Sequence, residues 1–508
     1  MDSKTGVERK SRIESKTVYT ALDDLAPGPE NAPDSTGPVG KIRVPQGVSD
    51  RQLYRDVVLI AWPSLVELVL TQLTSMADQV MVGRLPGQEG IAALAAVGLA
   101  AQPKFLLMTM IQAMNVGATA MVARFRGQQD RAGANRVFKH AMLLNLLMSA
   151  LFMGVGLILC EPMIRFMGGS GITEDTLRQG VDYMLIQLYG FIPLCLAITV
   201  TAALRGIGDT RTPMLYNTLA NVINLIFNYI MIYGHFGVPK MGVAGASWAT
   251  VIGQTAAFFI AMAVALRRKH YVYLDLKERF VFDRRLMSRV VGIGIPSMME
   301  QLFLRAGIII YTIQVTGLGD TVYAAHQVCM NVQSMTFMVG QAFATAATTL
   351  MGQSIGKRRY DMAAVYMRKT RNVGIGASFV LMALMVLFND QIIALFKNDP
   401  GIISLGAPIL LLLAASQPFQ ADQFIVTGGL RGAGDTRFPA IVMAVTVLGV
   451  RSILAVALIN VFHLGLWGAW IALVADQLLR TVLVAVRYRN GKWKRLALGK
   501  AHHKPQLA

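Results

Sequence analysis

LRGIGDTRTP at Leu204–Pro213 and LRGAGDTRFP at Leu430–Pro439 share eight of ten residues. A ten-residue echo inside so apolar a chain implies two copies of one membrane unit. Worked outward, the repeat extends in unbroken order at an offset of roughly 220–235 residues: Pro63 and Glu67 recur as Pro296 and Glu300, Gly127 as Gly356, Gly242 as Gly465, and Gln254 as Gln477. The motif also has a local logic. Gly206 and Gly208 allow a tight reversal, Asp209 and Thr210 can cap the following helix, and Pro213 suits its first turn. This predicts a short helix hairpin, with gating as the sharper alternative.

Of the 508 residues, 54% are hydrophobic and only 15% are charged, which excludes a soluble protein with an ordinary charged surface. Apolar runs long enough to cross a hydrocarbon core of about 30 Å begin near 57, 91, 139, 181, 214, 243, 290, 322, 373, 403, 440 and 466. The expected fold is an all-α polytopic membrane protein of about twelve transmembrane helices in two six-helix bundles. An even number of spans per half makes the repeats parallel, related by an axis along the membrane normal. The net charge of +19 does not gather on one soluble domain or interleave with stacking aromatics, so no nucleic acid partner is expected. Basic residues crowd alternate connections instead, and the positive-inside rule predicts both termini in the cytoplasm. The expected division is a disordered cytoplasmic tail over 1–50, lobes over 51–266 and 290–486, a basic linker over 267–289 and a basic tail over 487–508. Cys160, Cys195 and Cys329 show no pairing or metal-ligand spacing, and His235, His326 and His463 are scattered singly. No Walker A motif occurs, so no ATP-driven step is expected. The 29 methionines suit either an adaptable binding surface or ordinary apolar packing.

Chemistry must come from polar groups inside the spans, where they are costly and usually face a cavity or a partner. Glu67, Thr71, Thr74 and Asp78 share one face of the first helix, and Asn217, Asn221, Asn224 and Asn228 share one face of the fifth. Such stripes can line an aqueous pocket in which amide oxygens complete a cation shell around a carboxylate, or they can hydrogen-bond helix to helix as packing contacts. Oxygen ligands suit Na⁺, and a buried carboxyl suits H⁺. Lys104, Arg305 and Arg451 also lie within spans, and ion pairs with Glu67, Asp78, Glu300 or Asp422 are expected. If Lys104 neutralises Asp78 in one state and a cation displaces it in another, the exchange couples ion to conformation.

ADQVMVGRL at Ala77–Leu85, the paired LRGxGDTR motifs, NLIFNYIMIYG at Asn224–Gly234 and GVAGASWAT at Gly242–Thr250 together resemble the multidrug and toxic compound extrusion (MATE) transporters of the NorM and DinF type, from the first helix to the twelfth. The resemblance implies two six-helix lobes in a V around a central cavity. It also implies entry of H⁺ or Na⁺ in exchange for organic cations and other drugs, with no other cofactor and no enzymatic activity. By resemblance Asp78, Asn224 and Thr250 match coupling-cation residues. Asn228 stands where many members carry a second aspartate, which favours a single cation. In the second half the expected acidic positions are Leu304 and Gln420, with Asp422 on another face, so a cation site there is poorly supported. Glu67 and Glu300 become gate or drug counter-charge candidates, together with Thr71, Thr74, Asn217, Asn221, Lys104, Arg305 and Gln420. The expected setting is the plasma membrane of a functional monomer. Two rivals stand beside this reading: a lipid-linked oligosaccharide flippase, which would have extra spans and a strongly cationic cavity, and a membrane transferase, which would cluster acids and histidines at one face.

Overall fold

The computed structural model describes residues 20–28, 39, 44–86, 88–168, 173–275, 277–396 and 399–499. The regular structure among them is helical throughout. The first repeat comprises α1 (Asp50–Gly83), α2 (Gln88–Gly127), α3 (Arg131–Gly168), α4 (Glu174–Tyr189), α5 (Phe191–Gly206), α6 (Arg211–Tyr233) and α7 (Gly242–Leu266). The second comprises α8 (Arg284–Thr316), α9 (Asp320–Gly356), α10 (Tyr360–Leu387), the short α11 (Asn389–Phe396), α12 (Pro400–Gly432), α13 (Arg437–Val461) and α14 (Gly465–Arg489). A last helix, α15, covers Lys492–Gly499.

Ten of these helices are long and apolar enough to cross a membrane. The bent pair α4 and α5, meeting at 51° around Gly190, supplies an eleventh span. Helix α9 has the length, but Asn331, Gln333 and Gln341 dilute its apolar character. With α9 included, the twelve expected spans are accounted for, six in each repeat. Helix α13 alternates α-helical turns with π-helical segments at 444–451 and 457–461, and α6, its counterpart by sequence, is regular throughout.

By internal packing the chain divides into two units, the first containing residues 66–118 and 131–291 and the second residues 18–65, 119–130 and 292–508. In the first, α2 through α5 share a core around Ile111, Ile164, Met184, Leu188 and Phe191. The expected basic linker lies along the start of α3. Arg131 donates to the carbonyls of His270 at 2.8 Å and Tyr271 at 3.0 Å, Asn135 Oδ1 accepts from the Tyr273 amide at 2.7 Å, and His140 Nε2 accepts from the Asp283 amide at 2.8 Å. In the second unit α12 lies close against α9. A Cβ on Gly428 or Gly432 would fall 2.4 Å from the carbonyl oxygens of Ala344 and Thr348 respectively. Small residues are what allow membrane helices to approach so closely, because lipid offers no hydrophobic drive to hold them together.

The N-terminal tail departs from expectation. Within the stretch expected to be disordered, Ala21 and Leu22 are 2% and 3% exposed and sit in a core with Leu53, Val57, Ile355 and Met362. Two apolar side chains with a partner surface offset their ordering entropy, which composition alone did not reveal. At the other end α14 runs on to Arg489, and Trp493 of α15 is fully buried, stacked on Tyr488 with ring centroids 5.8 Å apart. Residues 1–19 and 500–508 lie outside the described residues.

Candidate functional site

The first unit joins the two predicted stripes directly. Helices α1 and α6 meet rung by rung at a constant sequence offset of 150 residues. Asn217 Nδ2 donates to Glu67 Oε1 at 2.6 Å, Asn221 Nδ2 donates to Thr71 Oγ1 at 3.3 Å, and Asn228 Nδ2 donates to Asp78 Oδ1. Equal spacing on both sides keeps successive rungs aligned, since steps of three or four return to one helix face. At the first two rungs the stripes therefore act as interhelical packing contacts. Thr71 and Thr74 hydroxyls turn back onto the carbonyls of Glu67 and Leu70 at 2.8 and 2.9 Å.

The Asp78 rung is different. With the Asn224 amide oriented so that both its ends are satisfied, its nitrogen donates to Asp78 Oδ1 at 3.1 Å and its oxygen accepts from the Thr250 backbone N–H at 3.1 Å. Thr250 Oγ1 donates to the Ala246 carbonyl at 2.9 Å. Asn224 and Asn228 are buried. Asp78 Oδ1 thus takes two amide donors, while the buried Oδ1 of Asn228 receives none. A carboxylate, an amide oxygen without a donor and a threonine hydroxyl on three neighbouring helices form a set suited to holding a small cation or a proton.

Lys104 is placed near this group without a direct pair. Its ammonium donates to Gln187 Oε1 at 2.5 Å, and Gln187 Nε2 donates to the Ser247 carbonyl at 3.4 Å. Asp78 and Lys104 still interact electrostatically.

The other expected pairings are redirected. Glu67 is held by Arg205 of the first motif copy, Nη2 to Oε2 at 2.8 Å, and Glu300 by Arg431 of the second, also at 2.8 Å. Asp422 pairs with Arg371, whose Nη2 donates to Oδ2 at 2.9 Å. Arg451 pairs with Asp476 at 2.6 Å, and Arg480 reaches the same oxygen at 2.8 Å. Three carboxylates thus find arginines that lie beyond the apolar runs or at their ends, because a long guanidinium stem reaches inward while its base stays outside the hydrocarbon. Asp476 and Arg480 escaped the sequence reading; their one-turn spacing in an apolar helix was the available signal. Gln420 is buried and lines a narrow recess with Thr336, Ser378 and Gln417, both of its amide atoms lacking hydrogen-bond partners. Arg305 lies in α8. Among the described residues no group of three histidines, cysteines or acids could hold a metal ion.

The motif turns are built alike. Asp209 Oδ1 accepts from the Thr212 amide at 3.0 Å and Oδ2 from the Thr212 hydroxyl at 2.8 Å, so Asp209 caps α6, whereas Thr210 makes no side-chain cap bond. Asp209 also lies 3.5 Å from His270 past the end of α7, and Asp435 takes Arg487 near the end of α14 at 2.8 Å. Each copy is therefore a hairpin whose arginine neutralises the glutamate of the first helix of its repeat and whose aspartate reaches the last.

Comparison with known proteins agrees with this architecture. The chain is 28% identical over 453 residues to a probable multidrug resistance protein NorM of Thermotoga maritima, covering 88% of this chain and 94% of that one. It is 29% identical over 399 residues to the multidrug resistance protein PmpM of Pseudomonas aeruginosa, covering 77% and 81%. A solved outward-facing multidrug resistance MATE family transporter of the MOP superfamily superposes with a TM-score of 0.79 at 23% identity, covering 90% of this chain and all of that one. The MatE family matches residues 63–230 and 296–457, most of the spans of both repeats, and the chain belongs to that family, as a NorM-like membrane transporter.

Proposed function

We propose that the protein exports small-molecule drugs, organic cations among them, by antiport with H⁺ or Na⁺, and that the ion is taken at Asp78. The carrying observation is the Asp78 rung, with two amide donors on Oδ1 and an acceptor without a donor on the adjacent Asn228. An ion arriving there competes with the Asn224 and Asn228 donors for the carboxylate, so loading the ion loosens the tie between α1 and α6. That is the differential interaction a ligand needs in order to shift a conformational equilibrium. If the ion is Na⁺, Asn228 Oδ1 and the Thr250 hydroxyl supply oxygens, and Asn224 does so by turning its amide; if it is H⁺, Asp78 alone suffices. The drive is about 2.3 kcal/mol per charge per 100 mV, with about 1.36 kcal/mol per pH unit added for H⁺.

Glu67 and Glu300 serve as the two frame anchors of the cycle, each neutralised by its motif arginine. The relatives named for multidrug resistance support the drug class. The crowding of Lys and Arg on alternate connections supports cytoplasmic termini in the plasma membrane. Everted vesicles carrying Asp78→Asn are expected to lose cation-dependent dye uptake while inserting normally. Uptake that still responds to imposed pH or Na⁺ gradients in that variant sinks the assignment.

A further inference from the structure

The second unit contains a cluster that this transport reading leaves unused. The ends of α2 and α9 hold equivalent places in the two repeats, through Gly127 and Gly356, and they cross in backbone contact. A Cβ on Gly127 would lie 2.0 Å from the Gln353 carbonyl oxygen, and one on Gly356 would lie 2.1 Å from that of Arg124. Residues 20–28 lie on this crossing. The Ala21 amide donates to Asp56 Oδ2 of α1 at 2.8 Å, and Tyr366 OH donates to the same oxygen at 2.9 Å. Lys357 Nζ donates to the Leu22 carbonyl at 2.6 Å, and the Gly28 amide returns a bond to the Lys357 carbonyl at 3.0 Å. Asp23 pairs with Arg126 at 3.2 Å. One segment of successive turns therefore ties α1, the end of α2 and the turn after α9 to each other.

We propose that residues 20–28 are a latch, which when seated holds the ends of α2 and α9 crossed and closes the path on the cytoplasmic side, and which must release for that side to open. The proposal rests on the alternating-access reading. Parallel repeats that rock against one another separate their equivalent helix ends at the face that opens. Arg126 follows Gly127's end of the crossing and Lys357 follows Gly356's, so a segment bonded to both cannot stay bonded to both when they part. The latch remains tethered to α1 through the intervening chain, so it rebinds as an intramolecular ligand. Its charged and backbone contacts set the balance between the two states, since a hydrogen bond to a charged group shifts such an equilibrium about 10- to 100-fold.

The test places a thiol under the crossing and loosens the latch from either side. Ser354 is fully buried and its replacement Ser354→Cys is nearly isosteric. In everted vesicles, maleimide labelling at that position is expected to rise about 10- to 100-fold when Ala21→Pro removes the donor to Asp56, and likewise when Lys357→Met removes the donor to Leu22. The native Cys160, Cys195 and Cys329 are buried and should stay unlabelled. Labelling that is unchanged in either variant, or that rises equally at all four cysteines, overturns the latch. The readout needs no transport, so a wild type that fails to couple drug to any ion gradient counts against the antiport reading and leaves this result standing.

Discussion

Glu67 and Arg205 allow the motif's contribution to be measured. The Glu67 side chain is 8% exposed and the Arg205 side chain 23%, with 2.8 Å between them. Replacing Arg205 with Met strands a nearly buried carboxylate that keeps the bond from Asn217 Nδ2 at 2.6 Å. Breaking a buried pair from one side costs about 3–5 kcal/mol, and the surviving amide bond places Arg205→Met at the lower end, about 3 kcal/mol. Glu67→Gln leaves instead a guanidinium with access to water, and screening lowers that cost to about 1 kcal/mol. The double variant removes both charges, so it should be less destabilised than Arg205→Met alone by about 1–2 kcal/mol. Thermal unfolding of detergent-solubilised protein can be followed with a thiol-reactive dye, since all three cysteines are buried until the fold opens. The expected order of midpoints is wild type, Glu67→Gln, the double variant, then Arg205→Met. Equal midpoints for the two single variants, or strictly additive losses in the double, would refute the reading of the motif arginine as counter-charge to the first helix.

In the second unit, Asp476→Asn leaves Arg451 and Arg480 facing each other in the interior, and a loss of about 3–5 kcal/mol is expected; Arg480→Met should cost less, because Arg451 still holds Asp476 at 2.6 Å. The same dye-monitored unfolding checks the order. Gly127→Ala must push against the Gln353 carbonyl, whereas a Cβ at Gly98 of the same helix meets nothing within 4 Å. Gly127→Ala is therefore expected to lower the midpoint, and Gly98→Ala to raise it through helix propensity by about 0.5–1 kcal/mol.

Much of this frame was legible because membrane physics is written in composition and period. The ten-residue echo located both hairpins, apolar length located the spans, and steps of three and four located the polar faces of α1 and α6. Partner choice was not legible. Glu300 and Arg431 are 131 positions apart, and nothing local says that a motif arginine at a helix end reaches inward rather than out to solvent. Residues 20–28 were missed for a related reason: Ala21 and Leu22 are too few to signal order alone, and the apolar surface that receives them comes from distant stretches of chain, among them α1, α9 and α10. The bend between α4 and α5 falls at Gly190, three residues before Pro193, residue types found at helix kinks.

The two repeats keep one frame and differ in what they place on it. Counting from Glu67 and Glu300, Thr71 corresponds to Leu304, Thr74 to Gly307 and Asp78 to Tyr311; counting from the motifs, Asn221 corresponds to Val447 and Asn228 to Leu454. Where α1 and α6 exchange hydrogen bonds, the second repeat brings Gly307 against Val447, so close that a Cβ on the glycine would lie 2.1 Å from Val447 Cγ1. In a deep charge cluster of the second repeat, Asp476 already holds the guanidiniums of Arg451 and Arg480 on Oδ2. A mobile cation would have to displace a fixed guanidinium there, and at Asp78 it displaces only neutral amides. The energetic difference favours Asp78 by the full cost of separating a buried ion pair, on the order of several kcal/mol. If the ion is taken at Asp78 as proposed, the second repeat offers no equivalent rung, and each turn of the cycle is expected to move one coupling ion.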